Sequence, residues 1–373
     1  MSRLLVAISA HGLGHLGQAA PVCNALKSLC PELRLTIWSA LPLQTLQARI
    51  TADFEHIEHP CDLGLIMHDA MRVDIPASWA VYVCRDADWL RRLDDACQCI
   101  QTVNPDLILS DVGDMPLAAA QALGIPNISM SSLNWADTAR FYFNALPDAT
   151  TVLDRLTAIY DNVSLALRLT PGMPMRGREE KTLPPVGAIS KHTRSHLDAT
   201  LGPLIDPTLR DRPKILIGMG GIETHLDCSA WPAQTAFTYI MANQPGLPAH
   251  GLTTSGIVNA DALCAQTGLV FTDLLQYCDA VICKPGYGTF VEAALAAVPV
   301  LYVAREDWPE QRVLIEWLEA AARCAQIDAA TLQTGQFFDH ITALLAQPGK
   351  APIRHDGAVI AAEEILAYLS RCT

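Results

Sequence analysis

The chain has 373 residues, half of them apolar and 17% charged, which is enough for two folded cores and argues against disorder. Its 26 basic and 39 acidic residues give a formal charge of −13, so neither a nucleic-acid footprint nor bulk attraction to an anionic membrane is expected. The twelve cysteines are scattered without a CxxC pair, a pattern that reads as reduced thiols in a cytoplasmic protein.

Residues 4–9 are apolar on both faces and predict a buried parallel strand. The run is too short to span a membrane and is broken at once by His11-Gly12, so no signal peptide is expected. Next come His11-Gly12-Leu13-Gly14-His15-Leu16-Gly17 and a helix over 17–29. Gly12, Gly14 and Gly17 satisfy G-x-G-x-x-G, yet the second strand (33–39) ends Trp38-Ser39-Ala40 without the acid that a dinucleotide ribose needs. A nicotinamide or flavin site is therefore disfavoured. His11 and His15 flank the turn, where an imidazole suits proton abstraction near neutral pH; capping the turn is the alternative use.

A helix over 90–102, a strand over 106–110, a helix over 116–123 and a strand over 127–131 continue the α/β alternation. Asp111 and Asp114 follow the third strand, where either can orient a histidine or bind an acceptor. Prolines crowd 171–213, which predicts a linker or irregular crossover. A second series opens with the strand 214–219 and Gly220-Gly221, and continues with strands at 252–254, 269–271, 280–283 and 300–303. The expected organisation is a domain over 1–185, a linker over 186–213, a second domain over 214–355, and a terminal helix over 356–373 able to pack back on the first. Ligands in such sheets bind beyond the carboxyl ends of the strands, and two such domains facing each other would share one cleft.

The stretch 280–311 carries the most chemistry. A strand runs into Lys284-Pro285-Gly286-Tyr287-Gly288, and a helix is expected to open at Thr289. Such a turn presents backbone N–H groups and a positive helix end to a phosphate. Gly286 and Gly288 allow close approach, Lys284 can pair with phosphate, and Tyr287 can stack or cover the loop. Thr289-x-x-Glu292 also has the form of a capping box, so Glu292 either caps the helix or binds a sugar hydroxyl pair. Arg305, Glu306, Asp307, Glu310 and Gln311 follow the next strand, as partners for sugar hydroxyls or as a solvated helix start. Together these features point to a nucleotide-sugar site.

The combination of His11-Gly-x-Gly-His15, Gly220-Gly221 and Lys284-Pro-Gly-Tyr-Gly-Thr-x-x-Glu292 resembles glycosyltransferases of the GT-B fold. One similar branch is the lipid-linked peptidoglycan N-acetylglucosaminyltransferase. The closer one is the glycosyltransferase-like module of plant L-arabinokinases, with likeness over 106–142, 168–175 and 278–319. The chain departs from the peptidoglycan enzyme, which has Ser-Gly-x-x-Thr in the loop and a membrane-facing amphiphilic patch. No sugar-kinase motif follows.

The resemblance implies an α/β GT-B fold, with two Rossmann-like domains whose parallel sheets face across a cleft. It implies a metal-independent, cofactor-free hexosyl- or N-acetylhexosaminyltransferase, with a nucleotide-diphosphate sugar, preferably UDP-linked, as donor. His15 ahead of His11 would be the base, with Asp111. Gly286, Gly288 and Thr289 would hold the diphosphate and Glu292 the ribose, with Gly220, Gly221, Lys284 and Tyr287 as further donor-side candidates. Asp307, Glu310 and Gln311 would contact the donor sugar, and Asp114, Asn134 and Trp135 the acceptor. The rival readings are an epimerase or hydrolase on the same fold and a non-catalytic nucleotide-sugar sensor.

Overall fold

The computed structural model describes residues 2–221, 226–232, 236–243, 247, 256–305, 307–351 and 353–372. The chain forms two compact units. The first comprises Met1–His68, Val73–Gly187 and Arg354–Thr373, and the second Asp69–Arg72 and Ala188–Ile353.

In the first unit seven strands run parallel: β1 (Arg3–Ile8), β2 (Arg34–Ser39), β3 (Glu55–Glu58), β4 (Leu107–Asp111), β5 (Asn127–Ser131), β6 (Leu165–Leu169) and β7 (Glu180–Leu183). Their order is β3-β2-β1-β4-β5-β6-β7. Leu4, Leu5, Val6 and Ile8 are wholly buried, as a central parallel strand requires, and each such side chain contributes roughly 1.5–3 kcal/mol of burial. The direction of winding reverses between β1 and β4, and Ile8 pairs with Asp111 at the end of both strands.

The second unit repeats the plan with β8 (Lys214–Gly218), β9 (Thr238–Met241), β10 (Ile257–Asn259), β11 (Ala280–Cys283), β12 (Val300–Val303) and β13 (Cys324–Ile327), ordered β10-β9-β8-β11-β12-β13. Here the reversal falls between β8 and β11, where Cys283 pairs with Gly218. In doubly wound sheets the crevice at such a reversal is where ligands bind.

The apolar runs predicted as β1, β2, β4, β5, β8, β11 and β12 form those strands. The run at 269–271 does not: Val270 precedes the helix Phe271–Tyr277, an ambiguity that a three-residue apolar run always carries. The strand expected at 252–254 lies outside the described residues. The proline-rich stretch holds β7 and the helix Arg194–Leu201, which Thr193 caps by accepting from His196 N–H. The helix Gly357–Cys372 packs against the helix Gly14–Leu29, and Glu364 accepts from Lys181 at 2.7 Å. Among the described residues no helix is long and apolar enough to cross a membrane.

Candidate active site

At the β1–β4 reversal the helix Gly14–Leu29 begins earlier than expected, so His15 sits in its first turn rather than in the loop before it. Its ring is almost fully buried, and Nδ1 lies 2.9 Å from Asp111 Oδ1, itself fully buried. A proton on Nδ1, donated to the carboxylate, leaves Nε2 as the basic nitrogen of the ring. Asp111 is followed by Val112 with φ of 64°, a conformation that costs a β-branched residue energy and is rare outside functional turns. The hydroxyl of Tyr160 donates to the Val112 carbonyl and holds that turn.

Three further residues complete this cluster without having carried any sequence signal. Asp62 Oδ2 accepts from the Trp135 indole N–H at 2.8 Å, and the Ser9 hydroxyl also bonds to the Asp62 carboxyl. Ser9 Oγ in turn accepts from the His11 backbone N–H at 3.2 Å. Gly64 touches the His11 ring: a Cβ placed there would fall 2.8 Å from His11 Cδ2, and the residue has φ of +57°. Only a glycine fits that approach without strain. Burial, and next the neighbouring Asp114 charge, pushes the Asp62 carboxyl up to about 6, against the pull of its two hydrogen bonds and of His15.

Asp114, Asn134 and Trp135 stand behind this surface. Asp114 is buried and accepts from Arg85 Nη1 at 2.6 Å. Asn134 caps the helix Trp135–Phe143 by accepting from Asp137 N–H at 2.8 Å. Trp135 is fully buried, with its ring 5.2 Å from that of His11 and 6.1 Å from that of His15.

At the β8–β11 reversal the helix runs Tyr287–Leu295 with Gly286 as its N-cap, two residues before the expected start. Thr289 is therefore inside the first turn, and the Thr289–Glu292 capping box does not form. The first intrahelical bond is donated by Phe290 N–H to Gly286, so helix geometry turns the preceding first-turn N–H groups toward an outside acceptor. Tyr287 is buried at the helix start, and Glu292 is buried one turn further on.

Lys284 Nζ lies between the two glycine turns. A Cβ on Gly220 would be 3.7 Å from it and one on Gly286 3.8 Å. Gly220 has φ of +93°, so a side chain there would be both strained and in the way. Burial first, then the Arg305 charge, lowers the Lys284 ammonium to about 8, while Glu310 opposes the shift. Arg305 stacks on Trp308 at 4.0 Å and donates from Nε to the Met71 carbonyl at 3.2 Å. Glu310 is buried; Oε2 accepts from Trp308 Nε1 at 3.1 Å, and Oε1 has no partner among the described residues. Asp307 is partly exposed beside it, Gly221 is exposed at the end of its turn, and Glu306 lies outside the described residues.

Gln311, expected as a sugar contact, is half-buried and bonds to the main chain of Arg305. Its Oε1 accepts from Arg305 N–H at 2.8 Å, and its Nε2 donates to the Arg305 carbonyl. Among the described residues no group of three or more His, Cys, Asp or Glu side chains is disposed to hold a metal ion. The described cysteines are free thiols, and burial pushes Cys23 and Cys283 up to about 12, where they are inert.

No protein-family model matches the chain, and no curated protein matches it by sequence. Solved structures do. The calicheamicin glycosyltransferase CalG4 is similar with a TM-score of 0.62 at 15% identity, covering 99% of each chain. The glycosyltransferase VinC in complex with dTDP gives 0.56 at 18% identity, also over 99% of each chain. A transferase from Siraitia grosvenorii in complex with UDP gives 0.53 at 11% identity, over 99% of this chain and all of that one. With its two Rossmann-like units of parallel strands, the chain has the GT-B fold.

Proposed function

We propose that the protein transfers a glycosyl group from a nucleotide-diphosphate sugar, with UDP as the preferred nucleotide, to an acceptor nucleophile. The observation that carries this reading is the buried His15–Asp111 hydrogen bond at the β1–β4 reversal. In this reaction His15 Nε2 takes the acceptor proton and Asp111 steadies the imidazolium that forms. The acceptor atom bonds to the anomeric carbon as the bond to the diphosphate oxygen breaks, which inverts the centre. The leaving diphosphate carries away the electron pair. Its charge is met by Lys284, Arg305 and the first turn of the helix Tyr287–Leu295, without a metal. Glu292 holds the ribose, and Glu310 accepts from a sugar hydroxyl.

The dTDP and UDP named with the similar structures support a nucleotide-diphosphate donor. The test is donor consumption from UDP- and dTDP-sugars with an acceptor panel, with and without EDTA. Acceptor-dependent consumption, insensitive to EDTA, is expected. His15→Ala and Asp111→Asn should lower kcat by roughly 10²–10⁴ with nucleotide affinity kept. Donor loss without acceptor would instead identify a hydrolase or epimerase, and unimpaired transfer by His15→Ala would remove the base assignment.

A further inference from the structure

We propose that Asp62 is a positioning residue for the histidine pair: it anchors Trp135 by its indole N–H and sets the charge that the two imidazoles face. The inference rests on the acceptor-activating reading of His15. Asp62 reaches His11 by two routes. One is the ring of Trp135, whose edge meets His11 at 81° between planes. The other is Ser9, which bonds to the carboxyl and accepts from the His11 main chain. Two residues further on, Gly64 lies against the His11 ring. One short loop thus fixes the turn from which His15 projects. Trp135 has a single polar atom, its indole N–H, so donation to Asp62 at 2.8 Å fixes the rotation of a ring that touches both histidines.

Anchoring alone does not need a charge. An asparagine would accept the same indole bond without the cost of burying a carboxylate. What the carboxylate adds is a charge that changes in the working range, since burial places its titration at about 6. The surroundings oppose one another. Asp114 on the helix Asp114–Leu123 is a like charge, already compensated by Arg85 of the helix Ile75–Ala87, and Asp111 ends β4. Cys61, Tyr82 and Tyr160 also face the carboxyl and are held neutral by burial. Beside Arg85, which is paired with Asp114, the basic groups of the cluster are His11 and His15. Ionised Asp62 stabilises the imidazolium that His15 becomes on taking a proton; protonated Asp62 does not.

The experiment is a pH titration of the full chain by NMR. The Trp135 indole N–H is assigned with Trp135→Phe, and the His15 ring with His15→Gln. In the unmodified protein the indole signal should inflect with a midpoint of about 6. Asp62→Asn keeps the acceptor oxygen and removes the charge, so the inflection should vanish and the His15 titration should move to lower pH. The acid limb of kcat/KM should move the same way, with a lower plateau. Asp62→Ala should lose the anchor as well and lower kcat further; Asp62→Asn carries the test where Asp62→Ala does not fold. An indole signal flat through about pH 6, or a His15 titration unchanged in Asp62→Asn, overturns the assignment. An inflection that vanishes in Asp62→Asn, in a protein that transfers nothing, supports the role of Asp62 and removes the transferase reading instead.

Discussion

Gln311 closes on the main chain of Arg305 with both ends of its amide, accepting from the N–H and donating to the carbonyl. This bidentate clamp spans the loop between β12 and the helix Gln311–Ala321 and holds the guanidinium that stacks on Trp308. Glu310 beside it keeps Oε1 without a partner among the described residues.

Gln311→Leu should therefore act on donor binding through Arg305. Two hydrogen bonds at about 0.5–1.5 kcal/mol each sum to about 1–3 kcal/mol, which sets a ceiling of roughly 5- to 150-fold on the loss in donor affinity. Glu310→Ala should mainly lower kcat with the true donor while leaving the affinity for free UDP unchanged. Calorimetry with UDP and steady-state kinetics with the sugar donor separate the two. A Gln311→Leu protein that binds UDP normally but discriminates poorly among sugars would return Gln311 to the sugar.

The buried pair Arg85–Asp114 sits behind the histidine cluster. Removing one partner of a buried pair leaves an uncompensated charge and costs about 3–5 kcal/mol. Asp114→Ala should lose stability on that scale in urea unfolding, and Arg85→Met with Asp114→Leu should regain most of it. If Asp114 serves only the fold, the double variant keeps the acceptor KM of the parent; a raised acceptor KM in a stable double variant would make Asp114 a ligand contact.

How much of this was legible in the sequence depended on how local each signal was. The apolar strands stood out because burial on both faces leaves no polar alternation to misread. The glycine turns at His11–His15 and Lys284–Gly288 stood out because each follows an apolar strand and precedes a helix, the setting of a phosphate-binding turn. The pairing of His15 with Asp111, 96 residues apart, is made by the β1–β4 register alone, so only the candidates were visible. Asp62 was invisible because it lies in an irregular stretch and all its partners are distant in sequence. Thr289-x-x-Glu292 looked like a helix start because its side chains can cap; the true N-cap, Gly286, has no side chain to announce itself.

Lys284 should make donor binding depend on pH. Its ammonium is lowered to about 8 by burial and by Arg305. A bound diphosphate favours the charged form and raises that value, so the complex holds more protons than the free protein above about 8. Above the titration of the UDP terminal phosphate at about 6, UDP affinity should be level up to about pH 8 and fall as pH rises further, by up to tenfold per unit, with proton uptake visible as a buffer-dependent heat. Lys284→Met should bind more weakly and lose the dependence. A Lys284→Met protein with the same alkaline fall would place the titrating group elsewhere.

Gly64 offers a way to move His11 without altering it. Alanine at this position must adopt φ near +57° and place its Cβ 2.8 Å from His11 Cδ2. The strain costs about 1–2 kcal/mol, and the clash is relieved only by displacement of the imidazole or of the loop 61–65. Gly64→Ala should therefore be measurably less stable and should slow transfer while leaving UDP affinity intact, since the donor loop belongs to the other unit. His11→Ala removes the clashing ring. In the double variant Gly64→Ala with His11→Ala, the stability loss should shrink to the backbone strain and the 3.1 Å contact with the remaining Cβ of residue 11. If both single variants slow transfer equally and the double is no slower, His11 acts through its position. If Gly64→Ala alone leaves the rate unchanged, the contact between Gly64 and His11 has no part in the reaction.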